Sequence, residues 1–275
     1  MSCKDSNRSA ELPGTLSEGQ HLDSIEVFIE AISQTLVSFE NAVDKPEFTT
    51  IPDGSGARHF RYKSPGPRII QYLLLVRIIS GCRATLILLR QGHVAEAAVL
   101  LRTIDDFIGD FVLVEEALRS LTGPNAIQQK FFDNYFLESM DPTKQPVTRR
   151  QKVQAAEGRL LNPDNPCDVV VLSRKIDQLY DAAVHGDYST AMDLYVSNSD
   201  GSDGRFEVMG VKSDGAITVH RLNLAFAVHR ACAIALELSI GLRLRNACER
   251  LYRILRKIND EVDFTIPGAE QPSTS

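Results

Sequence analysis

The sequence predicts an all-α protein, a multi-helix bundle of about seven helices with one small β-hairpin insertion. Three observations carry this. Apolar residues recur at helical spacing through most of the 275 residues, and glycine and proline cluster between those stretches. Late in the chain, two short runs alternate with the period of a strand.

The elements follow in order. Residues 1–17 and 263–275 are polar and read as disordered tails, leaving 18–262 as a single bundle domain. The first residues hold no apolar stretch, so no secretory signal is expected. Ser17 and Gln20 have the spacing of a capping box, and Leu22, Ile25, Phe28, Ile29, Ile32, Leu36, Phe39 and Val43 then mark one helix that stops before Pro46. From Pro46 to Pro67, Pro-Asp-Gly and Pro-Gly-Pro punctuation predicts a long loop. A second helix, Arg68 to Gln91, is apolar over more than half its circumference and should be central. Gly92 ends it, and a third helix, His93 to Leu121, should fold straight back on it. Gly123-Pro124 breaks that helix, and shorter ones are expected at Asn125–Met140, at Thr148–Leu160 and around Leu172 to Ala183, ending at Gly186. "RFEVMGV" and "AITVHRL" alternate around Lys-Ser-Asp-Gly and read as the β-hairpin. One continuous helix from His220 to about Asp260, apolar first and basic later, closes the bundle.

Composition bounds the function. A hydrophobic share of 43% and a charged share of 24% are those of a soluble globular protein, and arginines interrupt every long apolar run, so no membrane span is expected. A net charge of −6 argues against a general nucleic-acid coat. Five cysteines form no Cys-x-x-Cys pair, and Cys82 and Cys232 sit in apolar runs, which implies reduced thiols and a cytoplasmic location. The six histidines lack metal-ligand spacing, and phosphate loops and nucleophile elbows are absent, so neither metal nor cofactor is expected.

One polar locus stands out. In "LLRTIDDFIGDFVLVEEAL" (Leu100–Leu118), Arg102, Asp106 and Asp110 are spaced i, i+4, i+8 and share a helix face, with Asp105 beside them. Charges within an apolar helix must find partners or cost several kcal/mol. They could be internal ion pairs, with Arg77, Arg83 or Arg90 of the second helix as counter-charges. Alternatively they line a polar pocket, in which Arg102 orients an anionic group and Asp106 holds the arginine. In "QLYDAAVHGDYS", His185 falls at a helix end, with Tyr180 and Asp181 about one turn before it. It reads either as a helix cap or as a general acid–base at the mouth of that pocket.

"LLRQGHVAEAAVLLRTIDDF" together with the later "YDAAVHGD" resembles a loose group of bacterial all-helical proteins to which no activity is attached. The resemblance rests on Gly92, Ala97 or Ala98, Arg102, Thr103 and His185. Asp106 stands where the group has a glutamate, and the likeness covers about residues 70 to 190. It implies that Arg102, Asp106 and His185 belong to one site. The group is distantly similar to HEPN bundles, some of which are metal-independent ribonucleases. Their arginine and histidine stand four to six residues apart on one helix, whereas here Arg174 and His185 are separated by ten residues and Arg221 and His229 by seven.

Two further stretches carry charge. "GARHFRYKSPGPR" (Gly56–Arg68) interleaves basic residues with Phe60 and Tyr62, a pattern able to hold phosphates and stack on bases, or else a solvated loop. From Arg221 to Lys257 the balance is +6, with Arg243, Arg250 and Lys257 on one stripe and Arg253 beside it, suited to RNA or an acidic partner. The expectation is therefore a binding or regulatory protein with a pocket formed by Arg102, Asp106, Asp110, Tyr180 and His185. Its rivals are a HEPN-like ribonuclease using His185 and Arg102, and a structural protein that forms a homodimer.

Overall fold

The computed structural model describes residues 18–50, 58–63, 65–137, 167, 195–196, 205–206 and 214–262. Helix α1 (Glu18–Ser33) and the single turn α2 (Leu36–Glu40) come first, followed by strands β1 (Glu47–Thr50) and β2 (Arg58–Arg61). The long helices α3 (Pro67–Gln91) and α4 (Val94–Arg119) and the shorter α5 (Ala126–Tyr135) come next. Strands β3 (Tyr195–Val196) and β4 (Arg205–Phe206) precede α6 (Asp214–Gly241) and α7 (Arg245–Glu261). The protein is helical, as its sequence predicts. Among the described residues six helices have ten residues or more, against the seven expected.

The α3–α4 hairpin is the frame of the bundle. Pro67 occupies the first position of α3, where its missing N–H costs nothing. Gly92 closes the helix at φ 81°, a conformation open to glycine, and the N–H of His93 bonds back to the Leu88 carbonyl at 2.9 Å. This cap turns the chain within two residues, so α4 lies along α3. Helix α6 packs against both, and α1 and α7 cover the remaining side. Leu75, Ile78, Leu101, Val114, Leu224, Leu238 and Leu251, from four of these helices, are fully buried together. Residues Pro67–Gln91 and Ile217–Gly241 are each long and apolar enough to cross a bilayer, with mean hydropathies of 1.8 and 1.5. In this bundle they are the inner helices, and their apolar faces form its core.

Four sequence expectations are corrected. The first helix does not run through to Val43. Thr35 turns its hydroxyl onto the Ile32 carbonyl at 2.6 Å, and its N–H bonds to that same carbonyl at 2.9 Å, which diverts the helical ladder and separates α1 from α2. The hairpin expected across "RFEVMGV" and "AITVHRL" is replaced. Arg205–Phe206 pairs with Tyr195–Val196, and Ala216–Leu222 is the beginning of α6. The alternation in "AITVHRL" is a local coincidence in a helix that is apolar nearly all round. The last helix is broken as well, because Arg243 takes a left-handed φ of 58°. The N–H of Leu244 reaches the Ser239 carbonyl at 2.8 Å and that of Arg243 the Ile240 carbonyl at 3.0 Å, a Schellman cap with arginine where glycine is usual. A second hairpin, β1–β2, stands where the sequence predicts only loop, with Phe48 opposite Phe60 and Glu47 opposite Arg61.

Candidate functional site

The polar line on α4 divides on inspection. Arg102 and Asp106 form the expected i, i+4 pair at 2.7 Å, with the arginine mostly covered and the carboxylate half exposed. Asp105 is paired with Arg230 of α6. The arginines of α3 serve other partners: Arg83 binds Glu30 at 2.5 Å, and Arg90 binds Asp23 at 2.6 Å and Glu26 at 2.7 Å, all on α1. Arg77 lies over the ring of Phe107, 4.5 Å from its centre. Asp110, one turn beyond Asp106, is partly buried, and desolvation pushes its carboxyl up to about 7.

Among the described residues, the most deeply buried carboxylate is one that no local pattern in the sequence marks. Glu115 is 4% exposed. It accepts hydrogen bonds from Arg68 and Gln71 at 2.9 Å each through one oxygen, and from Arg119 at 2.9 Å through the other. Arg119 continues to Glu237 of α6. The cluster thus ties the start of α3, the end of α4 and the end of α6. Gly241 completes it, because a β-carbon there would stand 2.3 Å from Cζ of Arg68. Each polar group is answered by a fixed partner, so this cluster is architecture.

A different place is open. Between the β1–β2 hairpin and the end of α5 lies a cleft of about 610 Å3 lined by Phe60, Arg61, Tyr62, Leu73, Tyr135 and Phe136, with Pro46 and Pro65 at its edge. Tyr135 and Phe136 pack edge to face, their ring centres 5.1 Å apart, and Tyr135 also leans on Phe131 at 5.7 Å. Burial pushes the Tyr135 phenol up to about 12, Arg77 acts to lower it and Asp110 raises it. The phenol therefore stays protonated at neutral pH and can donate a hydrogen bond. The Tyr62 phenol is raised by burial first and by Glu40 second. Asp110 thus bears on a residue of the cleft wall, whereas Arg102 and Asp106 lie one to two turns away along α4.

His185 and Tyr180 lie outside the described residues. Of the four basic residues near the C-terminus singled out by sequence, three lie on α7 and have partners. Arg250 donates to Gln34, just past the end of α1, Arg253 donates to the Glu249 carbonyl at 3.3 Å, and Lys257 pairs with Glu261 at 3.4 Å. Arg243 is exposed at the helix break. No set of histidine, cysteine and carboxylate groups able to hold a metal occurs among the described residues.

Phe60 and Tyr62 are legible in the sequence as an interleaved basic and aromatic run. Tyr135 and Phe136 are not among the residues the sequence singles out, and the signal for them is that "FFDNYF" places four rings at i, i+1, i+4 and i+5 and so on one helix face. Compared with protein families, with curated proteins and with solved structures, the chain finds no match.

Proposed function

We propose that the protein is a binding protein whose ligand occupies the cleft between the β1–β2 hairpin and α5. The observation that carries this reading is the gathering of Phe60, Tyr62, Tyr135 and Phe136 on one concave surface. The volume suits a small ligand or one unit of a larger one, and the walls have the usual make-up of such sites: apolar rings with a few polar groups that fix orientation. Arg61 and the protonated Tyr135 phenol supply those groups. The polar line on α4 backs the cleft through Asp110, which shifts the pocket expected around Arg102 and Asp106 toward the end of that line.

The chain has no tryptophan, so Phe136→Trp places a single indole reporter in the cleft. A screen of small aromatic acids and amides should yield ligands that shift its emission, and Tyr62→Ala should weaken them about tenfold. A fragment screen in the crystal that fills other surfaces and leaves this cleft empty refutes the reading.

A further inference from the structure

The hairpin that forms one wall of the cleft has features that its own stability does not require. Phe48 and Phe60 face each other across the strands with ring centres 5.1 Å apart, and such a pair steadies a two-stranded sheet. Yet both remain open to solvent, Phe48 at 50% and Phe60 at 69%. Phe60 turns from this pair into the cleft, where Tyr62, Tyr135 and Phe136 follow. The rings thus form a continuous row, from an exposed platform to a concave pocket.

The strand that carries Phe60 is basic, although Glu47 stands opposite Arg61 on β1 and Glu40 and Asp110 bear on Tyr62 and Tyr135. From Arg58 to Lys63 there are three cations and no carboxylate, in a protein of net charge −6. Among the described residues neither Arg58 nor Lys63 has an acidic partner. Arg58 rests its guanidinium on the ring of Phe48, 4.5 Å from the centre, and Lys63 is exposed. A row of flat apolar faces fringed by uncommitted cations complements a chain of flat rings joined by anions. Duplexes do not fit this description, since their bases are stacked on one another and unavailable to side-chain rings. Single strands do.

We propose that the ligand of this cleft is single-stranded nucleic acid, with bases stacked on Phe60 and Tyr62 and phosphates drawn to Arg58 and Lys63. The proposal rests on the reading of the cleft as the ligand site. Phe48 acts as the prop that holds the Phe60 ring in place. Arg58 is the cation that turns toward a phosphate, because its guanidinium rests on the face of Phe48 and has no acidic partner among the described residues. This interface is distinct from the basic stripe of α7, where Arg250 reaches Gln34 and Arg253 and Lys257 make contacts within their own helix.

The test is fluorescence anisotropy with the full chain and three labelled probes: a short oligouridine, the matching oligothymidine, and an acidic peptide of equal charge. Binding of at least one oligonucleotide is expected. Phe60→Ala should weaken it about tenfold, as loss of one stacked base does. Lys63→Gln should weaken it and flatten its salt dependence; with two phosphates engaged, raising salt from about 50 to about 200 mM should cost about sevenfold in affinity. Both substituted side chains are exposed, and a thermal melt identical to wild type confirms that each variant folds. No anisotropy change with either oligonucleotide overturns the proposal. So does binding that the peptide matches and Phe60→Ala leaves intact, which would make the hairpin a plain polyanion surface. If the oligonucleotides fail while small aromatic ligands still fill the cleft, only the nucleic-acid assignment falls. If both fail, the cleft itself is not the site.

Discussion

Asp110→Asn offers the sharpest test of the site's electrostatics. The carboxyl lies on α4 between the buried Gly109 and Phe111, and burial raises it from 3.8 to about 7. In the unfolded chain the same group ionises near its ordinary value. Between those two limits the folded protein holds a proton that the unfolded chain has released. Stability from this residue is therefore fully present in acid, declines as pH rises toward 7, and is level above it. At 1.36 kcal/mol per pH unit, the difference amounts to about 4 kcal/mol. Asparagine has nearly the same shape and carries no charge at any pH. The variant should match wild type at about pH 4 and exceed it by as much as 4 kcal/mol at about pH 8. Urea unfolding followed by far-UV circular dichroism across that range measures both curves. If they run parallel, Asp110 is solvated and the account of the cleft's back wall is wrong.

Further outcomes follow from the same geometry. Glu115→Ala should cost about 3–5 kcal/mol in urea unfolding, because Arg68, Gln71 and Arg119 lose their shared acceptor. Asp106→Asn, at a half-exposed partner, should cost no more than about 1 kcal/mol; a loss equal to that of Glu115 would refute the ranking. Gly241→Ala should displace Arg68 and destabilise the fold by about 1–3 kcal/mol, and most of that cost should vanish in an Arg68→Ala background. Cys82 and Cys232, buried with thiols pushed up to about 12, should resist a thiol reagent in native buffer and react after denaturation, whereas the exposed Cys167 reacts at once. Rapid native labelling of all the thiols would contradict the packing.

The parts of the fold that could be read from sequence are those written in local chemistry. Gly92 between two apolar helices specifies the α3–α4 hairpin, and Asn125 with Gln128 forms the capping box that begins α5. The breaks were hidden where an ordinary residue takes a special conformation. Arg243 carries no mark of the left-handed turn it makes, because the cap bonds come from Leu244 and Ser239 rather than from its own side chain. Long-range pairing was the other barrier. Arg102 and Asp106 are legible because they lie one turn apart, whereas Glu115 finds Gln71 and Arg68 at separations of 44 and 47 residues. The cleft combines both difficulties. Its hairpin wall carries the composition of a basic aromatic loop, and its α5 wall has the composition of ordinary core.

The contact between Arg68 and Gly241 has a consequence for how this protein can change over time. A guanidinium lying where a β-carbon would stand makes two positions, 173 residues apart in the numbering, into one inherited unit. A side chain entering at 241 must push the Arg68 guanidinium away from Gln71 and Glu115, so the change costs least where 68 has already shortened. Lineages that descend from this chain should therefore lose the glycine more readily after the arginine than before it.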